Sequence, residues 1–539
     1  MNPMLTQHRD LFSQAELCAD VGELRSILEE THPDPYLNGG GVVAFRKRFA
    51  DVEAVVPSGG MSKRAFIRLI RPLVAQVKDG HTQVLPLCEG ENVRIWVDLG
   101  IVEERLVVAS VYGLEQEPLL GAVVTSVEGV PFADLCERMA VSYGHDNVYW
   151  NFANLARTLS IAPRLADLLD RDSVGPTVCF EVELLDGAKR LLAAHVGKSA
   201  PGPRIEPPTA IAMPELDAGD MASGFLDSKH EVAFFRIDSS LKYREAFEVW
   251  KSLGVREFFG DHLDEIVRAV TGRAAEGTID ARIAEVPSVI ARLTNLFVEM
   301  KASKTRTLLV DVRENRGGSD VYATILAYFL YSLDTITAAN RNLGYQVPRY
   351  SALHFKYREA ESIDEVRARI SSSFQIGDYD FTQERRWRAR GGKPTSPDTF
   401  GPIFKSYMPV AQLSPTFAKL ISERRWNATW TPRVIVVTSA TTFSAGFDAV
   451  LRLRSLGASV VGVPPGQAAN CFIAALPFEL GNTRIRGQVS SKYSVMFPTD
   501  AKNGTLLQPD RELTYNLYAA MNFDPNASLR LAMEWAAMS

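Results

Sequence analysis

Twice in this chain a β-branched, apolar run ends in a turn of small residues and opens onto a helix-patterned segment. Thr307-Leu308-Leu309-Val310-Asp311-Val312 leads through Gly317-Gly318 into an apolar stretch over 322–331. Val434-Ile435-Val436-Val437-Thr438 leads through Thr442-Phe443-Ser444-Ala445-Gly446 into Phe447-Asp448-Ala449-Val450-Leu451. Each reads as strand, tight turn, helix, and repetition of that unit specifies an α/β core. Further strands of the same kind are Val232-Ala233-Phe234-Phe235-Arg236-Ile237 and Ser459-Val460-Val461-Gly462-Val463.

What precedes this core has a different grain. Leu17, Val21, Leu24, Ile27 and Leu28 recur at helical spacing until His32-Pro33-Asp34-Pro35 breaks the pattern. Two more helices are expected over 42–55 and 63–77, the last stopping at Asp79-Gly80-His81-Thr82. From about Val93 the pattern becomes strands, with a hairpin expected between 93–97 and 106–110, and another around Asp186-Gly187. Strand, glycine turn, strand and short helix follow one another over 121–139, the order of small peptide-binding modules. Residues 200–225 are rich in Pro, Ala and Gly and read as a linker. The expected division is an N-terminal helical domain (1–90) carrying His81, a β-rich module (91–200), and an α/β core (201–539). The core is interrupted by an insertion at about 340–430, partly helical near 364–370.

At 539 residues with a net charge of −5, the chain has length for several domains and no basic excess to attract nucleic acid or anionic lipid. The five cysteines are scattered, without a CxxC pair, which argues against a disulfide framework or a cysteine metal site and fits a reducing compartment. No run is apolar enough to span a membrane and no signal-peptide pattern opens the chain, so a cytoplasmic location is expected. Neither a metal nor another cofactor is expected, since HExxH, GxxxxGK[ST] and GxGxxG are all missing. Oligomeric state stays open, a homo-oligomer being one possibility.

Ser444 is the candidate nucleophile. A serine at a strand-to-helix turn stands clear of the sheet beside the helix's unpaired N–H groups, which suit the charge formed on attack. The alternative is that Ser444 caps the helix through its side chain. A base must come from upstream, because the last of the eight histidines is His354. That excludes the α/β-hydrolase order, in which histidine follows serine. His81, exposed in its turn by the neighbouring Gly80, is preferred over His145 in Gly144-His145-Asp146-Asn147. Gly317-Gly318 ends the other strand, where backbone N–H groups can face a ligand without Cβ obstruction.

These pieces in this order resemble peptidase family S41, the tricorn-core and C-terminal-processing proteases. The matching residues are Asp79-Gly80-His81-Thr82, then Asp311-Val312-Arg313 with Asn315 and Gly317-Gly318, then Thr442-Phe443-Ser444-Ala445-Gly446. Gly462-Val463-Pro464-Pro465-Gly466 and Pro509-Asp510 extend the likeness, which spans most of residues 15–530. The resemblance implies a crotonase/ClpP-like core of β-β-α units with a PDZ-like module between it and the helices. It implies that Ser444 attacks an acyl carbon and that His81 takes its proton. It also implies an oxyanion hole from the N–H groups of Gly317 or Gly318 and of Ala445. The partner is then a peptide or another acyl substrate.

Two departures matter. The lysine of the Ser-Lys branch, about 25 residues past the serine, has no counterpart in Gln467-Ala468-Ala469-Asn470-Cys471, so the Ser-His branch fits better. That branch adds a later acidic residue, for which Asp500 is nearest in place and Asp510 and Glu512 are alternatives. Where the family often has glutamate three residues past the serine, this chain has Phe447, with Asp448 one further on. Two other readings remain open at this point: ester or lactam hydrolysis or acyl transfer on the same site, and a non-catalytic binding protein that keeps the fold.

Overall fold

The computed structural model describes residues 11–87, 92–255, 259–338, 344–358, 361–389, 391, 408–423 and 432–538. Three helices, Gln14–Thr31, Gly41–Val55 and Lys63–Ala75, open the chain, as the periodicity predicts. The first starts at a capping box: Glu16 N–H donates to Ser13 Oγ, and Ser13 N–H donates to Glu16 Oε2 at 2.9 Å. Their apolar faces bury Leu17, Leu24, Phe45, Phe49, Phe66 and Ile70 together with Phe478, Leu480, Ile485 and Val489 from the far end of the sequence. The helical unit is therefore closed by distant strands.

Those strands form a four-stranded antiparallel sheet. Asn470–Glu479 and Arg486–Val495 are its long hairpin, Tyr345–Pro348 pairs along one edge, and Gln83–Val84 pairs with Gly487 and Gln488. The turn that carries His81 thus enters the sheet directly at Gln83.

A second, eight-stranded sheet occupies 94–205. The strands Thr177–Glu183 and Lys189–Gly197 form the hairpin expected at Asp186-Gly187. The first hairpin is displaced from expectation. Arg105–Tyr112 pairs with Asp98–Val102, while Arg94–Ile95 pairs with Val196 and Gly197. Glu103, at φ 53°, makes the tight turn that sets this register, so the chain reverses within two residues after Val102. The helices Phe132–Ser142, Val148–Leu159 and Ala162–Leu168 cover the sheet.

The core is a six-stranded sheet in the order Met221–Phe225, Val232–Ile237, Thr307–Asp311, Arg433–Thr438, Ser459–Gly462, Arg511–Glu512. All neighbours are parallel except the first pair. Met221–Phe225 lies at the end of the expected linker; it carries no proline and pairs residue for residue with Val232–Ile237, which makes it an edge strand. Successive side chains go to opposite faces. Leu308, Val310, Val434 and Val436 join a cluster with the helices Arg244–Ser252, Val289–Ser303 and Ala445–Ser455. Leu309, Ile435 and Val437 join one with the eight-stranded unit and the C-terminal helix Ala527–Ala537. Burial on both faces is what a parallel sheet requires, and it explains why these strands read as unbroken apolar runs.

Of the expected insertion, 340–343, 359–360, 390, 392–407 and 424–430 lie outside the described residues. The rest contains the helices Ala352–Tyr357, Ile363–Arg369, Thr382–Ala389 and Pro415–Ser422. No helix among the described residues is long and apolar enough to cross a membrane.

Candidate active site

Ser444 ends the loop after the strand Arg433–Thr438 and immediately precedes the helix Ala445–Ser455. Its backbone stands at φ 51°, ψ −121°, and its side chain makes no capping hydrogen bond. The capping alternative is thereby set aside. A non-glycine residue in this region carries strain of about 1–3 kcal/mol, which the surrounding contacts must offset. Phe443 N–H donates to Asn315 O at 2.9 Å, Ser444 N–H donates to Gln467 Oε1 at 2.6 Å, and Asp448 N–H donates to Ser444 O at 2.8 Å.

Gly317 lies against the serine. A Cβ added there would stand 2.5 Å from Ser444 Cβ, 2.9 Å from Ser444 Oγ and 3.5 Å from Ala445 N. Gly317 and Gly318 also hold φ values of 119° and 125°, which strain any other residue. Buried Asn315 shapes this loop: its Nδ2 donates to Ile237 O and Ser240 Oγ, and its Oδ1 accepts the Gly317 N–H at 3.0 Å. Ser240 N–H donates to Gly317 O and Ser319 N–H to Ser240 O, bracketing Gly318.

The N–H of Gly317 is thus engaged, which corrects its expected place as an anion donor. Its part is the clearance that its missing Cβ leaves. Among the described residues the N–H groups of Gly318 and Ala445 have no hydrogen-bond partner. The rest of the motif is structural. Asp311 grips Arg313 through Nε and Nη2, while the hydroxyls of Ser439 and Thr441 donate to Arg313 O. Burial pushes the Asp311 carboxyl up, but the Arg313 guanidinium outweighs it and holds the carboxyl below its usual range.

His81 is buried, at 6% exposure, and does not stand open in its turn as the neighbouring glycine suggests. Its ring lies 4.5 Å from that of Phe443, which stacks at 3.9 Å and 13° on Trp150. The aromatic residue preceding the serine therefore packs against the candidate base, the two rings tilted by 35°. A Cβ on Gly80 would meet Phe443 Cζ at 2.7 Å, so the glycine admits this packing instead of exposing the histidine. Both ring nitrogens are buried without a hydrogen bond of good geometry. Burial pulls the His81 pKa below its ordinary value, with the Asp79 charge and the Phe472 backbone acting against that.

The turn is held by its own Asp79 and Thr82 and by two groups to which sequence patterning gave no part, His32 and Asp146. Asp79, fully buried, accepts from His81 N–H at 2.9 Å, Thr82 Oγ1 at 2.5 Å and His32 at 3.2 Å. Asp34 N–H donates to His32 Nδ1, which leaves the His32 proton on Nε2, facing Asp79. Burial raises the Asp79 carboxyl; the His32 bond and the nearby histidines lower it further than that, and the net direction is down. Gly80 N–H donates to Asp146 Oδ1 at 2.7 Å, whereas Asp146 Oδ2 is buried without a partner. Burial first, then the Asp79 charge, pushes the Asp146 carboxyl up to about 8. One turn into the serine's helix, Asp448 is pushed up to about 7 by burial and by Asp320, which itself pairs with Arg452.

The acidic candidates do not reach the histidine. Asp500 caps the short helix Ala501–Thr505, accepting from Asn503 N–H at 3.1 Å and Nδ2 at 2.6 Å. Asp510 accepts from Val460 N–H and pairs with Arg454, and Glu512 lies beside Tyr149. The carboxylate beside His81 is Asp79, with Nδ1 and Oδ1 3.9 Å apart. Asp500 is placed at the start of its own short helix, and the charge that His81 meets is that of Asp79. His145 has its ring at the Tyr143 carbonyl, 3.4 Å away, and it is its neighbour Asp146 that enters the site. His32, Asp146 and Gln467 had no readable signal: each is tied to the site by a contact spanning 23 to 66 residues. No group of three or more His, Cys, Asp or Glu side chains among the described residues could hold a metal ion.

The sequence model of peptidase family S41 matches residues 282–482, which include the Gly317-Gly318 loop and Ser444. The resemblance drawn from the motifs is borne out by that match. No curated protein matches the chain. Among solved structures, mature CPAF complexed with lactacystin is similar at TM-score 0.55 and 12% identity, covering 96% of this chain and 98% of that one. Mature CPAF alone gives 0.53 and 12%, covering 97% and 96%. The photosystem II D1 C-terminal processing protease gives 0.39 and 12%, covering 93% and 94%. The likeness to CPAF establishes a shared mixed α/β fold.

Proposed function

With residues 282–482 identified as S41 peptidase sequence, we propose that this chain is a serine peptidase that cleaves amide bonds through an acyl-enzyme on Ser444. The observation that carries the reading is Gly317 laid against the Ser444 hydroxyl and Ala445 N, in a loop where the N–H groups of Gly318 and Ala445 have no hydrogen-bond partner among the described residues. His81 accepts the Ser444 proton as Oγ attacks the carbonyl carbon, and the oxygen gains its charge facing those two donors. One such donor contributes about 3–4 kcal/mol to the transition state. His81 then protonates the leaving amine, and water attacks the acyl-enzyme by the same route in reverse.

Asp79 and His32 hold the His81 turn, Asn315 holds the glycine loop, and Gln467 pins the strained serine. The organisation we propose is the helical unit at 1–90 carrying the base, a PDZ-like module at 91–200, and a crotonase/ClpP-like core at 201–539 carrying the nucleophile.

The test is turnover of a mixed peptide library by the wild type and by Ser444→Ala, read by mass spectrometry. Cleavage that disappears in the variant supports the reading. Inert peptides beside rapid hydrolysis of a small ester by the wild type would replace amide cleavage with other acyl chemistry.

A further inference from the structure

Away from Ser444, between the helices Lys63–Ala75 and Ala162–Leu168, lies a cavity of about 160 Å³ with a smaller annex. Arg64, Arg71 and Arg164 line it, and Arg68 lines the annex. Facing these four guanidinium groups is the carboxylate of Asp167, with exposed Asp170 at the annex rim.

Asp167 gives one oxygen to Arg64 and Arg68 and turns the other toward Arg71. Its Oδ1 accepts from Arg64 Nε at 2.8 Å and from Arg68 Nε and Nη2 at 3.0 and 2.8 Å. Arg64 and Arg68 complete their bonding on the carbonyls of Asp172, Pro163 and Arg171, so these two tie the helices together. Arg71 is left over. It is 6% exposed, its nearest carboxylate oxygen is 3.7 Å away, and its Nε is buried without a hydrogen-bond partner. Its guanidinium stands 5.0 Å over the Tyr143 ring, which orients it without satisfying its N–H groups.

A buried cation lacking a hydrogen-bonded counter-charge is costly, and a guanidinium is shaped to take two oxygens of one oxyanion side by side. We propose that this cavity is an oxyanion-binding site that takes a carboxylate or phosphate group through Arg71, with Arg164 at its wall. The proposal does not depend on the peptidase reading, since it is tested by binding alone.

The full chain carrying Ser444→Ala is titrated calorimetrically with inorganic phosphate, with a short peptide having a free terminal carboxylate, and with that peptide's amide. Saturable binding below roughly 1 mM is expected for phosphate or the free-carboxylate peptide. It should weaken at least ~10-fold both in Arg71→Met and in Arg164→Gln, whose side chain is only half-buried and spares the fold. Phosphate binding that the peptide does not compete assigns the site to a phosphate group. Binding of the peptide but not its amide, displaced by phosphate, assigns it to a chain carboxylate. No binding of either probe, or binding that both variants leave unchanged, overturns the proposal.

Discussion

Ser444 is held in a backbone conformation that most residues avoid, and the contacts that hold it there are few enough to test singly. Gly317→Ala would place a methyl group 2.5 Å from Ser444 Cβ at a φ of 119°. Turnover is expected to fall at least ~100-fold, measured as kcat/KM, because serine and anion donors can no longer share that space. His81→Ala is expected to cost at least ~100-fold, whereas His145→Ala stays within about threefold. Comparable losses in the two would contradict the assignment of the base.

His81 must be neutral to accept a proton, and burial lowers its pKa. The acid limb of the pH–rate profile should therefore fall below the ordinary histidine value of about 6.5, and a limb above that value would contradict the packing described. Ser444 and the glycine pair were legible because their chemistry sits in contiguous residues. Gln467, Asp146 and His32 were not, because their roles exist only once remote segments meet.

At the scale of elements, the site is built where turns meet. The turn 79–82 is pinned from below by Asp146, whose carboxyl keeps its proton to about pH 8 in the fold. An unfolded aspartate releases it near pH 4, so the folded chain binds one more proton between those values, and stability falls as pH rises from about 4 to about 8. Asp146→Asn keeps an acceptor for Gly80 N–H and removes that slope. Its melting temperature should gain on the wild type steadily from pH 5 to pH 8; parallel curves would contradict the assignment.

Phe443, stacked on Trp150 and packed against the tilted ring of His81, sets the base through an element boundary. Phe443→Ala should cost about 3–5 kcal/mol of stability in denaturant unfolding, as for other buried aromatic truncations. The strands and helices themselves followed local pattern closely. Two departed: the strand Met221–Phe225 inside the expected linker, and the hairpin of Asp98–Val102, which turned on Glu103 adopting a positive φ that its residue type does not advertise.

Across the whole molecule, the turn of His81 and the loop of Ser444 come from remote segments, and assembly sets His81 against Phe443, the serine's neighbour. The helical unit docks through buried Asp20, which accepts from Asn482 and Thr483 N–H groups and from the Thr483 hydroxyl. Thr82 Oγ1, beside the histidine, accepts from Ser490 N–H. None of these ties could be read from spacing, since they join residues more than 400 positions apart. The order of the motifs did carry the α/β class and the location of the serine.

The central claim is that this assembly activates Ser444, and labelling with a fluorophosphonate probe, mapped by mass spectrometry, tests it most directly. The account predicts one adduct on Ser444, missing in Ser444→Ala and formed at least ~100-fold more slowly in His81→Ala. Folded wild-type chain that stays unlabelled, or that labels at another serine, would contradict it.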